Sequence, residues 1–127
     1  MSGLFLRVSP DTLIIGAGAH GFAKDQLARY RAAVAGPVSG GDLRAIVAKV
    51  ERAGFEIGGR TYTRPPRGFT ADGPATERLL RHSGLYAHGE LPAPWATTPG
   101  FLSEALRRWR TFAPVHRWLY DHVQRQA

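Results

Sequence analysis

Residues 4–15 read LFLRVSPDTLII, two short apolar runs on either side of the trio Ser9-Pro10-Asp11. Proline presets φ for a turn and aspartate can bond its own backbone, so the two runs are expected to return on each other as an antiparallel hairpin. Leu4, Leu6 and Val8 alternate with Phe5 and Arg7. A strand with one buried side has this period. The hairpin is followed by segments of helical period, so the fold class expected is α+β, an antiparallel sheet packed with amphipathic helices.

Beyond the glycines at 16–21, Leu27, Tyr30 and Val34 fall on one helical face before Gly36-Pro37. Asp42 can cap a second helix in which Leu43, Ile46, Val47 and Val50 follow i, i+3, i+4, i+7 spacing up to Gly54. Residues 55–57 and 61–63 flank Gly58-Gly59 as a small hairpin or an extended arm, and the arm continues through Arg64-Pro65-Pro66-Arg67. Asp72 and Pro74 open a short helix that holds Leu79 and Leu80. Residues 85–91 alternate as a further strand. Thr98-Pro99 starts a helix with a broad apolar stripe from Phe101 to Phe112, and Pro114 is expected to break it, leaving a C-terminal helix pair.

The length of 127 residues allows one domain, 1–127. The chain has no cysteine, which removes disulfides, thiolate nucleophiles and cysteine-based metal sites together. The first ten residues lack the basic and apolar regions of a secretory signal, and no stretch approaches the roughly eighteen apolar residues of a membrane span. A soluble cytoplasmic protein without membrane contact is expected. The formal charge of +7 invites nucleic-acid binding through phosphate contacts. The cations are spread from Arg7 to Arg125 without a run of five or more, however, and a solvated basic surface accounts for them.

Gly16-Ala17-Gly18-Ala19-His20-Gly21 matches GxGxxG. The fingerprint needs a glycine turn between a parallel strand and its crossover helix, and here the preceding strand already has an antiparallel neighbour. The glycines are therefore expected to let chains approach closely, and no cofactor is expected. The histidines are poorly spaced for a metal: His116 and His122 fall on different faces of a helix, and no HExxH occurs. No serine sits in GxSxG and no lysine in a P-loop, which weakens an enzymatic reading without removing it. The most unusual polar cluster is Arg64, Arg67, Arg78, Arg81 and His82. If the arm folds back on the short helix, Arg64, Arg67, Arg81 and His82 would bind a small anionic ligand, a phosphate or a carboxylate, with Tyr62 or Phe69 stacking beside them. The alternatives are a basic nucleic-acid-associated protein and a purely structural or interaction domain.

Several joined blocks resemble a known family: LFLRVSPDTLIIGAG, KDQLARYRAAV, AGFEIGG followed by RPPRGFTADGP, LLRHSGLYA, and the aromatic C-terminus through FAPVHRWL. Together they look like the C-terminal half of the family catalogued as domain of unknown function 2461. The resemblance implies a mainly bacterial protein of mixed α and β structure with no established biochemical activity. It also implies an arginine-rich signature upstream of the part represented here, so no functional residue can be carried onto this chain. The family's acidic-histidine-proline step after the arm is Asp72-Gly73-Pro74 here. On this resemblance Met1 falls inside the family pattern and the chain is the C-terminal part of a larger family domain, possessing a bare first strand. Self-association through the edge from Leu4 to Val8, binding of a separately supplied N-terminal half, or marginal stability is then expected.

Overall fold

The computed structural model describes residues 2–69 and 71–124. Strands β1 (Gly3–Val8) and β2 (Thr12–Ala19) form the expected hairpin, with Leu6 opposite Ile15, and the Ser9 N–H donates to the Thr12 carbonyl at 2.8 Å. β2 continues past its apolar run because a second partner, β4 (Leu85–Pro92), lies on its other side with Ala17 opposite Ala87. A short β3 (Glu56–Gly58) closes the far edge, giving the order β1-β2-β4-β3, antiparallel throughout. The chain is thus α+β, with one sheet.

The helices are α1 (Lys24–Ala35), α2 (Pro37–Arg52), α3 (Pro74–Leu80) and α4 (Phe101–Leu119). α2 starts at Pro37, earlier than Asp42, because the first turn of a helix needs no N–H donor and a proline φ already suits it. Only Gly36 separates it from α1. The expected break at Pro114 is absent, so the C-terminal helix pair is corrected to one helix. α4 runs through the proline and passes into a π-helical turn, Tyr120–Gln124. Losing one amide donor at Pro114 is outweighed by the burial of Val115, Trp118 and Leu119 immediately beyond it. After β4, Ala93–Thr97 form a 3-10 turn.

Alternation along β2 and β4 sends Leu13, Ile15, Ala17, Leu85 and Ala87 towards the helices. The main core joins Ala17, Ala19, Leu85 and Ala87 to Tyr30, Val34, Leu43, Val47, Phe112 and Trp118. A smaller cluster of Leu13, Ile15, Leu91 and Ala105 lies under the first half of α4. Two buried polar side chains fasten the layers. The Tyr30 hydroxyl donates to the Leu79 carbonyl at 2.7 Å, and burial pushes this phenol far above its ordinary range, so it stays a neutral donor. The Trp118 indole N–H donates to the Ser39 carbonyl at 2.9 Å. On the opposite sheet face Phe5, His20, Tyr86 and His88 pack ring against ring at 4.7–5.6 Å between centroids.

Candidate functional site

The arm after β3 does not return as a hairpin. Gly59 has φ +132°, and a Cβ there would stand 2.1 Å from the Gly84 carbonyl oxygen, so two backbones touch and the chain turns away from β3. It is then stitched to the segment that follows α3. The Ser83 N–H donates to the Arg60 carbonyl at 2.6 Å, Thr61 bridges His82, and the Tyr62 N–H donates to the Arg81 carbonyl at 2.7 Å. The arm therefore folds back on the short helix, the condition on which the arginine reading rested.

Between β3, the arm and the end of α3 lies a cleft of about 270 Å³, lined by Gly58, Gly59, Thr61, Arg78, Arg81 and His82 among others. Its polar groups differ in how far they are already satisfied. Arg78 is held in a fork by Glu51, with two contacts of 3.0 Å, and that hydrogen-bonded pairing keeps its guanidinium pKa above the ordinary value. The Arg81 Nε is buried and has no acceptor among the described residues. A buried donor without a partner carries the desolvation cost of its group until an acceptor arrives.

His82 is 4% exposed, with Nδ1 2.9 Å from the Gly84 carbonyl oxygen. A carbonyl can only accept, so in the neutral ring Nδ1 carries the hydrogen and Nε2 presents a lone pair. Burial pushes the His82 pKa below its ordinary value. The Gly84 carbonyl opposes that shift, while the Arg78 and Arg81 charges add to it. The folded chain thus holds a proton at His82 less readily than the unfolded chain does. Its contribution to stability is complete above the ordinary histidine range near ~6.5 and is lost as pH falls below it, at up to about 1.4 kcal/mol per pH unit. Urea denaturation at pH 7.5 and 5.5 checks this: the stability lost on acidification should be smaller in His82→Gln than in the parent. Equal losses in both would assign the pH dependence to other groups.

Of the residues singled out from sequence, Arg81 and His82 meet in this cleft beside Arg78. Arg64 and Arg67 do not line it. They stand exposed on the arm and make no ion pair with another described residue. Tyr62 does receive a guanidinium, but from Arg31 of α1, whose Cζ lies 5.8 Å from the ring centroid and whose Nε is also buried without an acceptor among the described residues. Arg31 was not foreseen; the signal was its place beside Tyr30, on the rim of the buried face of α1. Phe69 packs against the main core and not beside an arginine. Arg125, the last of the dispersed cations, lies outside the described residues.

Other features carry less chemistry. The GxGxxG run lies largely within β2, between two antiparallel neighbours, and has no turn into a crossover helix. A larger groove of about 550 Å³ between α2 and α4 is lined by Ile46, Val50, Pro114, Lys49 and Arg110, with no carboxylate or imidazole in its lining. Among the described residues no three histidine or acidic side chains are placed to share a metal ion. No helix among them is long and apolar enough to cross a membrane.

A family model described as "Conserved hypothetical protein (DUF2461)" matches residues 1–118. The chain belongs to this family. No curated protein and no solved structure matches it. Membership in DUF2461 carries no activity with it, so chemistry has to be argued from the cleft. Within this DUF2461 chain the Asp72-Gly73-Pro74 step has a structural role. The Thr76 hydroxyl donates to Asp72 at 2.6 Å and accepts from Arg44 at 2.9 Å, and the Thr76 bond is the main reason the Asp72 carboxyl lies below its usual range. These bonds tie the start of α3 to α2 and so hold the helix whose other end carries Arg81 and His82.

Proposed function

We propose that the cleft at the end of α3 binds a small oxyanion that also carries a hydroxyl, such as a hydrogen phosphate or a hydroxycarboxylate. The observation that carries this reading is the buried Arg81 Nε, a charged donor without an acceptor among the described residues, on a side chain that lines the same small cleft as His82. Arg81 supplies charge and a donor to the anionic oxygens. His82, neutral at pH 7 and bonded through Nδ1 to Gly84, supplies an acceptor at Nε2, which suits a P–OH or C–OH group better than a bare oxyanion. Thr61 offers a further hydroxyl at the rim. Among the described residues no carboxylate lines the cleft, and a binding role is favoured over acid–base catalysis. Arg64 and Arg67, exposed on the arm, raise the local positive potential and steer the anion in.

Calorimetric titration with phosphate and with sulfate at pH 7.5 tests the pairing of donor and acceptor. Phosphate should saturate in the range of about 0.1–1 mM, and sulfate, which has no hydroxyl, should bind roughly tenfold more weakly. Arg81→Ala should abolish both, while Arg67→Ala should alter chiefly the salt dependence. Absence of saturable phosphate binding below about 10 mM, or binding untouched by Arg81→Ala, would overturn the reading. The second reading, nucleic-acid association through the dispersed arginines, predicts oligonucleotide binding that falls steeply with salt and is indifferent to Arg81 alone.

A further inference from the structure

Two guanidinium groups, each with a buried and unpaired Nε, stand at the joint between α1, α3 and the arm. The bond from the Tyr30 hydroxyl to the Leu79 carbonyl holds α1 against the end of α3. Arg31 follows Tyr30, about 100° further around α1, and Arg81 lies just beyond Leu79. Tyr62 connects them. Its backbone N–H donates to the Arg81 carbonyl at 2.7 Å, in the register set by the bridge between Thr61 and His82. Its ring receives the Arg31 guanidinium at 5.8 Å. Arg31 and Arg81 therefore both touch one residue of the arm.

They share a deficiency. The Nε of Arg31 and the Nε of Arg81 are buried, and neither has an acceptor among the described residues. The Tyr62 ring attracts the Arg31 charge, but the Nε hydrogen bond is still unmade, and a buried donor in that state carries its desolvation cost. Among the described residues no carboxylate forms an ion pair with either arginine. Glu77, one helical turn before Arg81, stands exposed without reaching it, and Asp25 on α1 is taken by Arg29. Arg60, Arg64 and Arg67 add further exposed guanidinium groups along the arm. Arg78 gives the contrast: it lines the same cleft as Arg81, and its fork is already filled by Glu51.

We propose that the ligand of the cleft carries two anionic groups on one short frame, as a bisphosphate or a phosphorylated hydroxycarboxylate does. Its hydroxyl-bearing group sits with Arg81 and His82, and its second group reaches past Tyr62 to Arg31. This rests on the oxyanion reading of the cleft and narrows it to a ligand class. The placement of the two groups follows from donors and acceptors. His82 gives the cleft an acceptor at Nε2, so the group there carries a hydrogen. Arg31 offers donors only, which suits a fully ionised phosphate or a carboxylate. Arg31 and Tyr62 do not line the cleft itself, so a single small anion seated there leaves Arg31 unsatisfied, and a ligand of greater length reaches both. Orthophosphate is then a fragment of the ligand and binds as weakly as a fragment does. Joining two anionic groups makes the second contact intramolecular, and the gain is greatest when the spacer matches the gap between the arginines. Arg81 decides whether an anion is held, and Arg31 decides which anion.

Calorimetry at pH 7.5 with alkane bisphosphonates of increasing spacer length, each beside the monophosphonate of the same chain, measures the second contact. One spacer length should bind about tenfold or more tighter than its monophosphonate, with shorter and longer members weaker on either side. An effect of net charge alone would favour every bisphosphonate and show no optimum. Arg31→Gln should return the best bisphosphonate to the affinity of its monophosphonate while leaving phosphate within about twofold of the parent. Tyr62→Leu removes the ring beside Arg31 and keeps the backbone bond to Arg81, so it should act in the same way and guards against a folding defect peculiar to one variant. The proposal is overturned if every bisphosphonate binds within about twofold of its monophosphonate, or if affinity rises with length without an optimum. It is overturned equally if Arg31→Gln and Tyr62→Leu, in chains that melt with the parent, weaken phosphate and bisphosphonate by the same factor. Each of these results leaves the cleft standing as a phosphate site. If phosphate itself does not bind, the oxyanion reading falls and this inference falls with it.

Discussion

Phe112→Ala should lower the free energy of unfolding by about 3–5 kcal/mol. The ring is fully buried, stands edge-on to Phe55 at 4.9 Å between centroids, and belongs to the main core with Ala17, Ala87 and Trp118. Two costs combine. The apolar transfer energy of the ring is lost, and a cavity remains because sheet and helix are tied together around it and cannot collapse inward. Domains of this size are stable by about 5–15 kcal/mol, so this single change would remove a large share of the total. Urea denaturation measures the difference directly. A loss below about 1 kcal/mol would mean that the position is not the core site described.

A comparable loss is expected for Gly18→Ala, at a position that looks conservative by size. Gly18 has φ +139°, and its Cβ would stand 2.3 Å from the Leu85 carbonyl oxygen and 2.5 Å from the Tyr86 Cα, both of them backbone. Backbone strain of about 1–3 kcal/mol adds to a steric cost of about 1–3 kcal/mol, since β2 and β4 can part only by giving up their ladder. Gly3, directly opposite Gly18 in β1, has nothing within 4 Å of its own Cβ position, so Gly3→Ala should be close to neutral. Thermal melts of the pair would separate a steric glycine from a ligand-binding one. If Gly18→Ala melted with the parent and only a nucleotide affinity changed, the strand reading of the GxGxxG run would be wrong.

The hairpin, the amphipathic faces of α1 and α2 and the strand at β4 were legible because each depends on a local period or turn. The start of α2 at Pro37 was harder to read, since Asp42 carries a capping side chain and proline signals both a stop and a first turn. Pro114 misled for the opposite reason. A local helix breaker was overridden by the burial of Val115, Trp118 and Leu119 against residues far away in sequence. The site was half legible. Arg81 and His82 sit where a helix ends, a place composition can mark, but which arginines are satisfied depends on partners such as Glu51 that lie a helix away. Arg31 reaches Tyr62 only because α1 packs beside the arm; its place next to Tyr30 marks it as a rim residue of α1 but does not name its partner.

α4 crosses both hydrophobic clusters, and this divides one continuous helix into segments with different lifetimes. Phe101 and Ala105 belong to the smaller cluster, which sits beside the uncovered β1. Phe112, Val115, Trp118 and Leu119 belong to the main core. Pro114 removes one rung of the ladder close to the boundary and makes separation of the two segments easier. Amide hydrogens in the first turns of α4 would then exchange with solvent through local opening, and those after Pro114 only when the whole domain unfolds. A single helix by geometry is thus two cooperative units by energetics.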